Sequence, residues 1–227
     1  MESIKELRKK CQKKGGSDYY IRKYSIYITR LFLYTNLTPN QITMIWVIVG
    51  VIGASLFIFG NYTYSIIGAL LMFLAFSLDF VDGEVARYKK LTSGFGEFLD
   101  WVGTWFISLF AILTITLGSF LSSGSVWIIF VGGLLLLGYS MKELLPLKYL
   151  STNKNKPEKG KKLPSKLYKA YLIGRKIMFV EYFFEAILIC SILNQLPVFL
   201  IFYAIGFNTL WVIKVFAEFM KLKKGYS

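Results

Sequence analysis

The sequence predicts an all-α integral membrane protein of six transmembrane helices, with an N-terminal juxtamembrane amphipathic helix and both termini cytoplasmic. Three observations lead there. Hydrophobic residues make up 55% of the chain and fall in blocks near the ~20 residues that a helix needs to cross a bilayer core. The net charge of +14 lies beside those blocks rather than on one basic face, which is juxtamembrane placement and argues against nucleic acid as a partner. Finally, with six spans the connections at about 60–63, 118–125 and 194–197 fall on one side, and none carries a charge. The positive-inside rule then sets the remaining loops and both termini in the cytoplasm.

Residues 1–35 are read as a basic and aromatic juxtamembrane segment with no apolar stretch of the kind a cleavable signal needs. Residues 1–17 look like a solvated charged tail. Beyond them Tyr20, Tyr24, Tyr27 and Leu31 recur at helical spacing between basic residues, as in a helix lying in the headgroup layer. Residues 36–220 form one membrane domain, and 221–227 a basic tail. Thr38-Pro39-Asn40 starts the first span, about 42–59. The second begins near Tyr64 and runs through Phe76, the third covers about 96–117 and the fourth 126–145. A small polar loop is expected at 119–125. Residues 146–176 hold three prolines and ten Lys or Arg, and are read as a basic cytoplasmic loop. The fifth span is about 177–193 and the sixth 198–219. The chain has no histidine and only two cysteines, Cys11 and Cys190, which excludes histidine catalysis and a metal-ligating cysteine cluster.

Charged residues at the ends of spans two and three carry the chemistry. They read Asp79-x-x-Asp82-Gly83-x-x-Ala86-Arg87, eight residues, then Gly96-x-x-x-Asp100. Asp79 and Asp82 are three apart, so both carboxylates leave one helix face. Gly83 and Ala86 let a ligand approach the backbone beside them. Gly96 and Asp100 are stacked on one face of the next helix. A short turn between antiparallel neighbours would gather three carboxylates, a set stable only with bound cations, and all-oxygen ligation favours Mg²⁺ or Mn²⁺. Glu84, Glu97, Lys89 and Lys90 are equally well explained as a wetted helix boundary.

This string resembles the signature of the CDP-alcohol phosphatidyltransferases, D-x2-D-G-x2-A-R-x8-G-x3-D-x3-D. The match covers every position but the last, and the 38–43 segment Thr-Pro-Asn-Gln-Ile-Thr is similar to the family's approach to its first span. The resemblance implies a membrane transferase of phospholipid biosynthesis. Its donor would be a CDP-linked lipid or CDP-alcohol, its acceptor a polar or phosphorylated alcohol, and its product CMP. It implies metal ligands at Asp79, Asp82 and Asp100, with two ions in an intact site. It places donor contacts at Asn40, Thr43, Gly83, Ala86, Arg87, Ser93 and Gly96, and it implies a homodimer.

The departure is Thr104, where the family has a metal-binding aspartate proposed to take the acceptor's proton. Threonine is no general base near neutral pH. Three explanations stand: a base moved to Glu97, Glu181 or Glu185, a sequence inactivated by substitution, or a relative that binds CDP-linked ligands without turnover. Glu181 and Glu185, inside an apolar helix, are better read as partners of Lys142, Arg175 or Lys176 than as catalysts. Glycines 132, 133 and 138 suit close helix contact in span four. A small transporter or a membrane scaffold would share the span count. A transporter, however, would place acids near the midplane and show related halves, and neither feature is present.

Overall fold

The computed structural model describes residues 3–12, 20–152 and 180–225. All described elements are helical: α1 (Ile4–Cys11), α2 (Tyr20–Phe32), α3 (Pro39–Ser55), α4 (Tyr62–Lys89), α5 (Gly94–Ser123), α6 (Val126–Thr152), α7 (Val180–Ile192) and α8 (Leu196–Gly225). Five helical segments are long and apolar enough to cross a bilayer, and residues 182–192 of α7 form a shorter apolar helix. The fifth expected span begins at 177, so its start lies outside the described residues. Large apolar side chains such as Ile48, Ile52, Leu70, Leu74, Leu113, Phe130, Ile201 and Ile205 are exposed along these helices. Backbone amides paired within a helix and apolar side chains turned outward are what a hydrocarbon solvent demands.

The chain divides into two compact units, residues 1–114 and 115–227. In the first, Thr38 caps α3: its hydroxyl accepts from the Gln41 amide, while the Gln41 side chain accepts from the Thr38 amide at 2.8 Å. This is a capping box with proline at the first helical position. α3 ends in a 3₁₀ turn, and Gly60 adopts left-handed backbone (φ 57°) before Asn61 caps α4. α3 and α4 pack through bare backbone. A Cβ on Gly53 would stand 2.8 Å from the Gly68 carbonyl oxygen, and one on Gly68 would stand 2.6 Å from that of Gly53.

Three boundaries differ from the sequence expectation. α4 runs unbroken to Lys89, well past Phe76, so Asp79 and Asp82 share one helix as their spacing requires and Arg87 stands on that same helix. α5 continues to Ser123, because Ser119 offers its carbonyl to the hydroxyls of Ser122 and Ser123 at 3.1 and 2.7 Å. Serines that bond back to the preceding turn do not break a helix. α6 carries helix to Thr152, into the expected loop, whose remainder lies outside the described residues.

The largest correction concerns residues 3–12. They are not a solvated tail but a capped helix. Ser3 and Glu6 form a capping box, and Leu7 and Cys11 are buried against Ile26 with Ile4, Leu33 and Tyr88 around them. α2 is the expected amphipathic helix, with Ile21, Ser25, Ile26 and Thr29 buried and Tyr24, Tyr27 and Leu31 exposed.

In the second unit Phe183 of α7 lies within 5.2–5.8 Å, centroid to centroid, of Tyr139, Phe184, Phe199 and Tyr203. Gly132 abuts Thr116, and Gly138 abuts Asn208, as small-residue packing predicts. Gly133 faces open space and has no such part. Lys142 pairs with Glu143 at 2.8 Å and stands over the rings of Tyr139 and Phe207. The expected pairing with Glu185 is therefore corrected: the neighbouring acid and two π-faces already surround this ammonium. Glu185 Oε1 is buried without a hydrogen-bond partner. The side chains of Glu181, Arg175 and Lys176 lie outside the described residues.

Candidate active site

The site opens at one end of α3, α4 and α5, and its lining residues all belong to the first unit. Its cavity of about 170 Å³ is lined by Asn40, Thr43, Asp82, Gly83, Ala86, Arg87, Ser93, Gly96, Glu97 and Asp100 among others. That volume holds on the order of ten waters, room enough for hydrated ions and phosphate oxygens. Nine of the eleven residues expected from the sequence line it. Asp79 and Thr104 do not.

Each lining group is held by a local device. Asp82 is buried, and its Oδ2 accepts from the Thr43 hydroxyl at 2.6 Å and the Trp46 indole N–H at 2.9 Å. Thr43 and Trp46 are three apart on α3 and reach α4 together. Thr43 thus orients an acid while it also lines the cavity. Trp46 was not expected at all. The available signal was chemical: an indole N–H on a buried face needs an acceptor.

Leu91 closes the α4 terminus by donating its amide to the Ala86 carbonyl at 2.8 Å, with Lys90 in left-handed backbone. That turn carries the chain to Ser93, whose hydroxyl accepts from the Gly96 amide at 3.0 Å and starts α5. A Cβ on Gly96 would meet Asn40 Oδ1 at 3.1 Å and Ser93 Oγ at 3.2 Å. Asn40 of α3 and Ser93 at the start of α5 therefore converge on Gly96, where a side chain would make them give by a few tenths of an ångström. Gly83 does the same for Arg87, since a Cβ there would meet Nη1 at 3.2 Å and Nη2 at 3.5 Å.

Asp79, one turn before Asp82, neighbours Asp100 across the α4–α5 pair. Asp79 Oδ1 and Asp100 Oδ1 are both buried without a hydrogen-bond partner. Among the described residues no three acidic, cysteine or histidine side chains close into a finished metal cage. The donor chemistry nevertheless fits a hard cation. Two orphaned carboxylate oxygens, inside a helix pair where every unpaired acid is costly, are groups that Mg²⁺ or Mn²⁺ would satisfy.

Thr104 stands one turn beyond Asp100, half-buried, with its carbonyl accepting from the Ser108 hydroxyl at 2.8 Å. Glu97 lines the cavity from the first turn of α5. Glu84 is corrected from a wetted boundary to a buried carboxylate, 1% exposed, on the opposite side of α4 from Asp82.

Fold and site together define a helical membrane protein that gathers acids, an arginine and close-approach glycines at one end of its spans. The chain belongs to the CDP-alcohol phosphatidyltransferase family, whose profile matches residues 36–219. Over 105 residues, 44% of its length, it is 33% identical to the bifunctional IPC transferase and DIPP synthase of Aquifex aeolicus, and spans 23% of that protein. Its fold is similar to that of phosphatidylinositol phosphate synthase (PgsA1) of Mycobacterium tuberculosis. The structure with CDP-DAG bound gives a TM-score of 0.61 at 16% identity, covering 86% of this chain and 93% of that one. The structure in complex with manganese and citrate gives 0.62 at 16% identity, covering 85% and 88%.

Proposed function

We propose that this protein transfers a substituted phosphoryl group from a CDP-linked lipid, or a CDP-alcohol, to an alcohol acceptor, releasing CMP. The observation that carries this is convergence: family-motif residues of α4 and α5, with Asn40 of α3, line one cavity. The acceptor hydroxyl oxygen forms a new bond to the donor phosphorus, the bond from that phosphorus to the CMP oxygen breaks, and the hydroxyl proton passes to a base. Arg87 binds diphosphate oxygens with its fork. Gly83 leaves room for the Arg87 guanidinium and Gly96 for Asn40 and Ser93 at the cavity wall, which sets those polar groups where the donor would bind. Thr43 and Trp46 hold Asp82 in place before the donor arrives. Asp79, Asp82 and Asp100 would hold the divalent ions, and those ions supply charge neutralisation of the diphosphate and of the CMP leaving group.

Thr104 supports a second reading, a member that binds the donor without rapid turnover. Of the three alternative bases, Glu97 is favoured because it lines the cavity. The active site and both termini face the cytoplasm in this reading, supported by the uncharged far-side connections. The test is a thermal shift with CMP or CDP, then turnover with a CDP-linked lipid. Stabilisation that requires Mg²⁺ supports the lineage and excludes the transporter and scaffold alternatives. No nucleotide-dependent shift at all sinks the reading. Turnover lost in Glu97→Gln identifies the base; binding without turnover establishes the impaired relative.

A further inference from the structure

Two residues after Asp82 on α4, a helix that turns 100° per residue, Glu84 faces away from the cavity. Its surroundings are built for it. Oε1 accepts from the Ser25 hydroxyl at 2.8 Å and the Gln12 amide at 3.3 Å, and Oε2 accepts from the Thr29 hydroxyl at 2.5 Å. Gln12 also donates to the Arg22 carbonyl at 2.7 Å. A single buried carboxylate thereby fastens the end of α1 and the buried face of α2 onto α4. Breaking such a site leaves buried donors unpaired, so the attachment is specific and costly to lose.

One turn beyond Glu84, Arg87 donates its Nε–H to the carbonyl of Cys11, the last residue of α1. That carbonyl is one of those a helix C-terminus leaves without an intrahelical partner. The guanidinium thus caps α1 with one donor and lies over Gly83 beside the cavity with its other nitrogens. An arginine fork held at Nε presents its two Nη groups in a fixed plane.

We propose that α1 and α2 are a positioning part of the donor site, with Glu84 fastening them and the Cys11 carbonyl aiming Arg87 at the donor diphosphate. The ligand named here rests on the proposed function; the attachment itself rests on the geometry above. Glu84 is a positioning residue that acts through Arg87 and touches no substrate.

The fully buried Cys11 thiol gives a direct reporter in the unmodified protein. Coupling between two sites is reciprocal. A clamp that aids donor binding must therefore be tightened by the donor. Alkylation at Cys11, read by mass spectrometry in detergent micelles without acceptor, should slow about tenfold when CDP-linked lipid and Mg²⁺ are added. Glu84→Ala should speed alkylation and weaken donor binding about tenfold, the scale of one charged hydrogen bond. In an Arg87→Ala background, Glu84→Ala should weaken donor binding no further, whereas a purely structural role would add its loss in full. Glu84→Gln should recover part of the affinity. If Glu84→Ala does not fold, Ser25→Ala with Thr29→Val removes the same bonds from the other side. Donor affinity unchanged while Cys11 becomes reactive overturns the proposal, as does Cys11 alkylation indifferent to bound donor. No donor binding by the unmodified protein overturns instead the function reading, and with it the ligand assigned to Arg87.

Discussion

The α3–α4 pair and the α6–α8 pair both meet at glycines, and they do so in opposite ways. Gly53 and Gly68 oppose carbonyl to Cα, with no side chain between them. At Gly138 the partner is the Asn208 side chain, whose amide donates to the Leu134 and Ala204 carbonyls at 2.8 Å and accepts from the Trp211 indole at 2.9 Å. The first contact cannot yield unless a helix moves. The second is shared between side chain and backbone, since a Cβ on Gly138 would meet Asn208 Nδ2 at 2.7 Å and its backbone nitrogen at 3.0 Å, so only its side-chain part can relax by a change of rotamer. The rigid contact belongs to the pair that carries Thr43, Trp46 and Asp82, where a carboxylate must stay within hydrogen-bond tolerance of two donors. Precision is concentrated where an acid must be aimed.

Four substitutions would break or sharpen that contrast. Asp82→Ala removes the group that the α3–α4 interlock holds. Mg²⁺-dependent binding of CDP should be lost and turnover should fall by on the order of 10³-fold, measured by calorimetry and radiolabelled transfer. Retained binding would mean that the interlock serves packing alone. Gly68→Val forces two backbones apart and should cost about 3 kcal/mol, read as a lower midpoint in detergent unfolding, with donor affinity falling alongside. Stability lost with affinity intact would separate the interlock from the site.

Thr104→Asp acts on the site without touching either contact. A carboxylate one turn beyond Asp100 should raise transfer by about 10²-fold, as gain of a general base does. CDP affinity without metal should stay nearly constant. A rate that does not improve would point to Glu97 as the base already in use. Asn208→Leu is the mildest. It should cost about 1 kcal/mol, the size of a typical interhelical hydrogen bond in a membrane, and leave donor binding unchanged. A large loss of donor affinity there would contradict the contrast between the two pairs.

The sequence displayed the site better than it displayed the site's support. Asp82, Gly83, Arg87, Gly96 and Asp100 were legible because helical spacing and a short turn dictate where they meet. The spans were legible because a bilayer imposes length and apolarity on each. Trp46 and Glu84 were not, since their partners lie 36 to 72 residues away and no local periodicity announces a contact of that range. α1 was hidden by composition: five of its residues are charged, and charge density masked the Ser3-x-x-Glu6 capping box that marks its start. Thr104 shows the reverse. Its spacing placed it beside the acids, yet it lies off the cavity wall.

Glu84 also bears on how the chain is made. Gln12, Ser25 and Thr29 leave the ribosome well before Glu84 does, and α3 lies between them in sequence. Domains assemble from the N-terminal end during synthesis. The acid is therefore delivered into the membrane edge with its three donors already synthesised, and it escapes an unpaired stage only if α1 and α2 wait at the interface while the α3–α4 hairpin inserts. The amphipathic exposed face of α2, with Tyr24, Tyr27 and Leu31 turned outward, is the kind of surface that rests in a bilayer interface and so is suited to that waiting.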